Sequence, residues 1–180
     1  MANFSIMNST AIGGGNVQAN ITTTYKTQIL IGNSTTSTTN LGSGALRRGK
    51  IYDILIGTNG TPADNSMEFD ITRVTMGTSS VLAGGISSLS STFGLDLADN
   101  NGFVAMVGTN SSIETAFTAT TEAWYVGINQ RASYRWVAAP GSELVYPANS
   151  SATGNNGFAL RARSAGYTST VTANIFFQEQ

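Results

Sequence analysis

The sequence predicts an all-β fold, an antiparallel β-sandwich of jelly-roll type with an extended N-terminal arm, on three observations. The 180 residues include 20 Ser, 24 Thr, 16 Asn and 20 Gly, types that favour strands, turns and caps over helix interiors. Only 11% of residues are charged, against about 25% in an ordinary soluble domain. From Lys50 onward apolar and polar residues alternate with a period close to two, and no stretch sustains a helical period over three turns. Length alone admits one domain with a real core.

Taken in chain order, the first 46 residues hold a single charged side chain, Lys26, before Arg47, Arg48 and Lys50 open a region of ordinary charge mixing. This break divides the chain into an N-terminal arm or edge strands, 1–46, and a sandwich domain, 47–180. Within the first part, Gly13 to Gly15 and the low-complexity run Ser34 to Asn40 have little packing capacity. Val17, Ala19 and Ile21 alternate with polar residues, and Gln28 to Ile31 is a short apolar run, so two strand-like stretches are expected there. Removal of residues 1–46 is expected to leave the rest folded.

Tyr52, Ile54 and Ile56 fall on one face of a strand, and Met67, Phe69 and Ile71 on one face of the next, with Glu68, Asp70 and Thr72 opposite. Between them Gly57 to Asp64 carries Asn-Gly and Thr-Pro turn signals, which predicts a hairpin. Weaker patterns suggest strands at Phe103 to Val107 and Ile113 to Ala119, with Gly84-Gly85 and Asn100 to Gly102 in loops. Trp124, Val126 and Ile128, then Tyr134, Trp136 and Ala138, predict a second hairpin, closed by the Pro140-Gly141 turn. Phe158, Leu160 and Ala162 opposite Arg161 and Arg163, then Val171, Ala173, Ile175 and Phe177 opposite Thr172, Asn174 and Gln178, complete seven to nine short strands.

The residue inventory excludes much chemistry. There is no His and no Cys, so the usual general base, the thiol nucleophile, zinc-type ligand sets and disulfides are all missing. Carboxylates remain, and the pairs Glu68 with Asp70 and Asp96 with Asp99, together with Asp64, are the available candidates. Glu68 and Asp70 lie on the polar face of a strand, where solvated charge suffices. Asp96 to Gly102 departs from the calcium-loop spacing and lacks its downstream Glu, and an Asx-rich turn accounts for it. Ile12 to Val17 is glycine-rich but has neither the Lys-Ser/Thr of a phosphate loop nor dinucleotide spacing. No catalytic, cofactor-binding or metal residue is therefore expected.

A net charge of −1 and a pI near 5.2 give no basic field for nucleic acid or an anionic membrane. Met1 to Ser9 has no basic stretch leading an apolar run, and no window approaches a membrane span, so a soluble protein made in the cytoplasm is expected. Arg47, Arg48 and Lys50 form the one basic cluster, either a charged guard beside a strand or a contact for an acidic surface. Among Trp124, Tyr125, Tyr134, Trp136 and Tyr146, the two tryptophans align with apolar neighbours and belong to the core. Tyr125 falls on the face opposite Trp124 and is the candidate interface aromatic.

Three phrases carry a family resemblance: RRGKIYDILIGTNGTPADNSMEFDITRVT from Arg47, NQRASYRWVAAPGSELVYPAN from Asn129, and NNGFALRARSAGYTSTVTANIFFQE from Asn155. They resemble the capsid decoration, or cement, proteins of tailed bacteriophages, including cyanophages. The resemblance implies a sandwich or jelly-roll body, a homotrimer on the outer capsid surface of the virion, and the major capsid protein as partner. Arg47, Arg48 and Lys50 would then be candidate capsid contacts. It implies no catalytic residue, and residues 1–46 have no counterpart in it. A receptor- or carbohydrate-binding module of a head or tail fibre is the alternative reading. It usually brings repeats or a coiled-coil stem, which are missing here.

Overall fold

The computed structural model describes residues 2–8, 23–32, 48–59, 61–76, 92–96, 106–109, 117–146, 155–165 and 170–180. The regular elements among them are eleven strands. They are β1 (Ala2–Met7), β2 (Lys26–Gly32), β3 (Gly49–Asn59), β4 (Ser66–Met76), β5 (Thr92–Gly94), β6 (Met106–Thr109), β7 (Phe117–Asn129), β8 (Tyr134–Val137), β9 (Leu144–Tyr146), β10 (Asn155–Arg163) and β11 (Thr170–Glu179). Among the described residues no helix is long and apolar enough to cross a membrane.

The strands form two antiparallel sheets, in the order β5-β1-β11-β3-β8 with β9 also on β3 (sheet A), and β6-β2-β10-β4-β7 (sheet B). Their inner faces close on one core. Period-two alternation is the reason: β11 buries every second side chain, Val171, Ala173, Ile175, Phe177 and finally Glu179, along its whole length. Opposite it, Met67, Phe69 and Ile71 of β4 and Phe158, Leu160 and Ala162 of β10 close the other wall. Each fully buried Ile, Leu or Phe contributes about 1.5–3 kcal/mol from water exclusion, and stacking of Phe4 on Phe177 at 5.3 Å staples β1 to β11.

Of the expected N-terminal arm or edge strands, β1 and β2 are described, and both are built into the sheets. β1 pairs with β11 on one side and β5 on the other, and β2 lies between β10 and β6. Both stand one place in from a sheet edge, and Phe4, Ile6, Ile29, Leu30 and Ile31 are all buried. In β1 and β2 the low charge goes with burial in the shared core. The strand-like stretch Val17 to Ile21, the Gly13 to Gly15 run and Ser34 to Asn40 lie outside the described residues.

Both expected hairpins are corrected as well. β3 belongs to sheet A and β4 to sheet B, so Gly57 to Asp64 carries the chain from one sheet to the other. β7 and β8 are likewise divided between the sheets. The turn signals were real, but a turn residue bends the chain across a sandwich as readily as within a sheet. Pro140-Gly141 does turn, with Gly141 at φ +84° and the Ser142 N–H donating to the Ala139 carbonyl at 2.8 Å. The chain then resumes along the same neighbour: β8 and β9 pair with successive parts of β3. The Phe117 to Ala119 end of the Ile113 to Ala119 pattern and the Trp124 to Ile128 pattern both fall in β7, interrupted by irregular register against β4, and 113–116 lie outside the described residues. β6 takes up the end of the Phe103 to Val107 pattern.

A bulge in β3 overturns one more expectation. Phe176 pairs with Asp53 and Phe177 with Ile51, leaving Tyr52 as the extra residue. Ile51, Ile54 and Ile56 therefore point inward, while Tyr52 lies beside Phe176 at 6.5 Å. Two approaches leave no room for a side chain: a Cβ on Gly49 would stand 1.8 Å from the Tyr146 ring, and one on Gly157 would stand 2.2 Å from the Ile31 carbonyl oxygen.

Buried amides tie the connections to the sheets. Asn8 donates to the Val171 carbonyl at 2.9 Å and to Gln28 at 3.2 Å, and accepts the Ala173 N–H at 2.8 Å. The Gln130 side chain, fully buried, donates to Ser164 at 3.0 Å and accepts the Ala63 N–H at 3.2 Å, while its backbone carbonyl accepts the Thr58 hydroxyl. Such buried groups are expensive to leave unpaired, so these two side chains fix where the chain crosses between sheets.

Candidate functional site

Because inner positions are consumed by the core, the side chains free for recognition are those that alternate with them. On the outer face of sheet B, β10 lies antiparallel to β4 with Arg161 opposite Asp70 and Arg163 opposite Glu68. Arg161 grips Asp70 with two guanidinium nitrogens, Nε to Oδ1 at 2.9 Å and Nη2 to Oδ2 at 2.5 Å, and reaches Thr72 Oγ1 at 2.9 Å. Thr72 in turn donates to Asp70 at 3.2 Å. Arg163 Nε donates to Glu68 Oε2. Tyr25, immediately before β2, lays its ring against both cations, with each guanidinium carbon 4.6 Å from the centroid.

Tyr125 continues this surface. It stands opposite Asp70 on β7, one step from Glu68, and is 51% exposed. Partial desolvation and the Glu68 carboxylate, which accepts its hydroxyl, push its ionisation upward. Burial, then the Asp70 carboxylate, do the same for Tyr25. A shallow depression of about 210 Å³ opens beside them, lined by Thr23, Ser66, Glu68, Arg163, Ser164 and Ala165.

The outer face of sheet A differs. Arg135 holds Asp53 with Nε at 3.0 and 3.1 Å from its two oxygens, and the hydrogen bond raises the arginine's ionisation further. Leu55 and Val137 are exposed beside that pair. Among buried side-chain polar atoms of the described residues, Asn174 Oδ1 lacks a partner.

Compared with protein-family models, curated proteins and solved structures, the chain finds no match.

The sequence candidates are distributed over both sheets. Arg48 is exposed and its backbone pairs with Gln180 in both directions, at 3.2 and 2.9 Å. Lys50 lies two residues on, within β3, so the two share the outer side of sheet A by alternation. Lys50 helps hold the Glu143 carboxyl low, after backbone N–H donors at Glu143 and Gly141. Arg47 lies outside the described residues. Tyr125 is outward as expected, but on sheet B, so it and the basic cluster form no common site. Trp124, Tyr134 and Trp136 pack against the core, with Trp124 and Tyr134 rings 5.5 Å apart, and Tyr146 is buried.

Among the acidic candidates, Glu68 and Asp70 are corrected from solvated charges to partners of Arg163 and Arg161, with Asp70 fully buried. Asp64 makes an exposed 3.4 Å pair with Arg131. Asp96 is exposed, and Asp99 lies outside the described residues. Among the described residues no three His, Cys, Asp or Glu side chains gather around a common point. Tyr25 was not singled out by sequence reasoning. Its signal was faint: a lone aromatic before an apolar run says nothing about which cations it will cover.

Proposed function

We propose that this chain is a structural virion protein that decorates and cements the outside of a tailed-phage head by binding the major capsid protein, as a homotrimer. The observation that carries this reading is spatial. The three phrases that resemble decoration proteins, separated in sequence, supply β3, β4, β8, β9, β10 and β11. These include the adjacent run β11-β3-β8 of sheet A and the adjacent pair β10-β4 of sheet B. A resemblance confined to loops would not yield such a contiguous block.

Support for a jelly-roll body comes from the two facing runs β1-β11-β3-β8 and β2-β10-β4-β7, with β1 through β4 alternating between sheets. The outward Leu55 and Val137 offer apolar contact to a neighbour without any reactive group. The test is reconstitution: purified chain is added to heads that lack it and the particles are imaged by cryo-EM. Saturable density on the outer surface at threefold and quasi-threefold positions is expected, with light scattering of the free or released protein giving three times 18.8 kDa. Bare heads at micromolar protein would refute the proposal.

A further inference from the structure

The depression on sheet B lies apart from the sheet A surface proposed to meet a capsid neighbour. Its volume of about 210 Å³ falls below the ~300–1,000 Å³ of pockets for drug-sized ligands, which suits one small ring. Its lining mixes donors and acceptors: Thr23 and Ser66, the Glu68 carboxylate, and the Arg163 guanidinium, whose Nε is committed to Glu68. The floor is fixed, because Ser164 accepts from Gln130 at 3.0 Å and donates to the Ser66 carbonyl at 3.0 Å. Arg163 is held between Glu68 and the Tyr25 ring. Little conformational freedom remains to be lost on binding.

Beside it Tyr125 presents a half-exposed ring on a strand, not on a loop. Charge narrows the ligand class. Arg161 and Arg163 are matched by Asp70 and Glu68, and a carboxylate in the wall repels phosphate, sulfate and acidic ligands. A neutral ligand with vicinal hydroxyls, each able to donate and accept, and with an apolar C–H face for the electron-rich ring, satisfies every wall.

We infer that this surface is a binding site for a neutral saccharide, taking one pyranose ring between Tyr125 and the depression lined by Glu68, Arg163, Ser66 and Thr23. The site lies on sheet B, whereas the exposed Leu55 and Val137 belong to sheet A. It would let a decorated particle adhere weakly to glycan-coated surfaces, with strength gained from many copies.

The test is NMR titration of the full chain with glucose, galactose, mannose and N-acetylglucosamine, each to tens of millimolar, with inorganic phosphate and sulfate in parallel. One or more neutral sugars should shift Tyr125 and Arg163 signals with a Kd on the order of 1 mM. Tyr125→Ala should weaken binding at least about tenfold without moving the thermal midpoint. Tyr125→Phe, which keeps the ring, should bind as the parent does, and so should Val137→Ala on the other sheet. No shift with any neutral sugar, unchanged binding in Tyr125→Ala, or a stronger response to phosphate or sulfate at the same residues would each overturn the proposal. None of these outcomes depends on capsid binding.

Discussion

Asp70 is fully buried on the outer face of sheet B and Arg161 nearly so, a position where one carboxylate can be kept only with its cation. Removing one partner of a buried pair leaves an uncompensated charge, at a cost of about 3–5 kcal/mol. Arg161→Leu should therefore destabilise by that amount in urea denaturation, whereas Arg131→Ala, whose partner Asp64 is exposed, should cost less than about 1 kcal/mol. Equal effects would mean that Asp70 is hydrated in solution. Tyr146 adds a pH signature. Burial first, then the Glu179 carboxylate, raise its hydroxyl well above 10.0, so above that pH the folded protein keeps a proton that the unfolded chain has released. Its contribution is complete below about pH 10 and is lost as pH rises through the folded-state value. Tyr146→Phe should flatten the alkaline fall in stability, and an unchanged slope would assign it to another group. Alternation alone placed Arg161, Arg163, Glu68 and Asp70 on polar faces. Their pairing was illegible, because register between strands some ninety residues apart leaves no mark in local spacing.

Strand extents were the more readable level. The inward sets of β4, β10 and β11 stand where period two put them, and Tyr52 departs because one inserted residue reverses the phase of everything before it. Sheet membership was hidden: Asn59-Gly60 and Thr61-Pro62 announce a change of direction without saying whether the next strand pairs with the last or faces it. For β1 the composition break left arm and edge strand open, since low charge marks burial as well as looseness. The consequence is testable. Deleting residues 1–8 removes Phe4, Ile6 and Asn8, strips β11 of one neighbour, and leaves the Ala173 N–H without its acceptor. The truncated chain should lose cooperative thermal unfolding by circular dichroism. A cooperative transition within a few degrees of the full chain would restore the arm that the composition suggested.

For the whole molecule, nine basic and ten acidic residues are too few, and too often paired with each other, to make ionic attraction the main force holding it to a neighbour. Raising salt from 0.1 to 1 M shortens the screening length from about 10 Å to about 3 Å while apolar contacts persist. Under the proposed function, occupancy on heads, measured near the dissociation constant, should then change little, and Arg47→Ala with Arg48→Ala should cost no more than about 1–2 kcal/mol. Release of most copies at high salt would invert this ranking. One feature of the architecture also sets a clock. β11 lies between β1 and β3, with Glu179 opposite both Ala2 and Gly49. At about 5–20 residues per second, synthesis from the end of β3 at Asn59 to the end of β11 at Glu179 takes roughly six to twenty-four seconds, and in that interval β1 and β3 have no strand between them. Sheet A closes only when β11 emerges, so until then the nascent chain carries the unpaired edges of β1 and β3. Tethering gives β11 a high effective concentration at its own β1 and β3, and it is this closure that removes both edges.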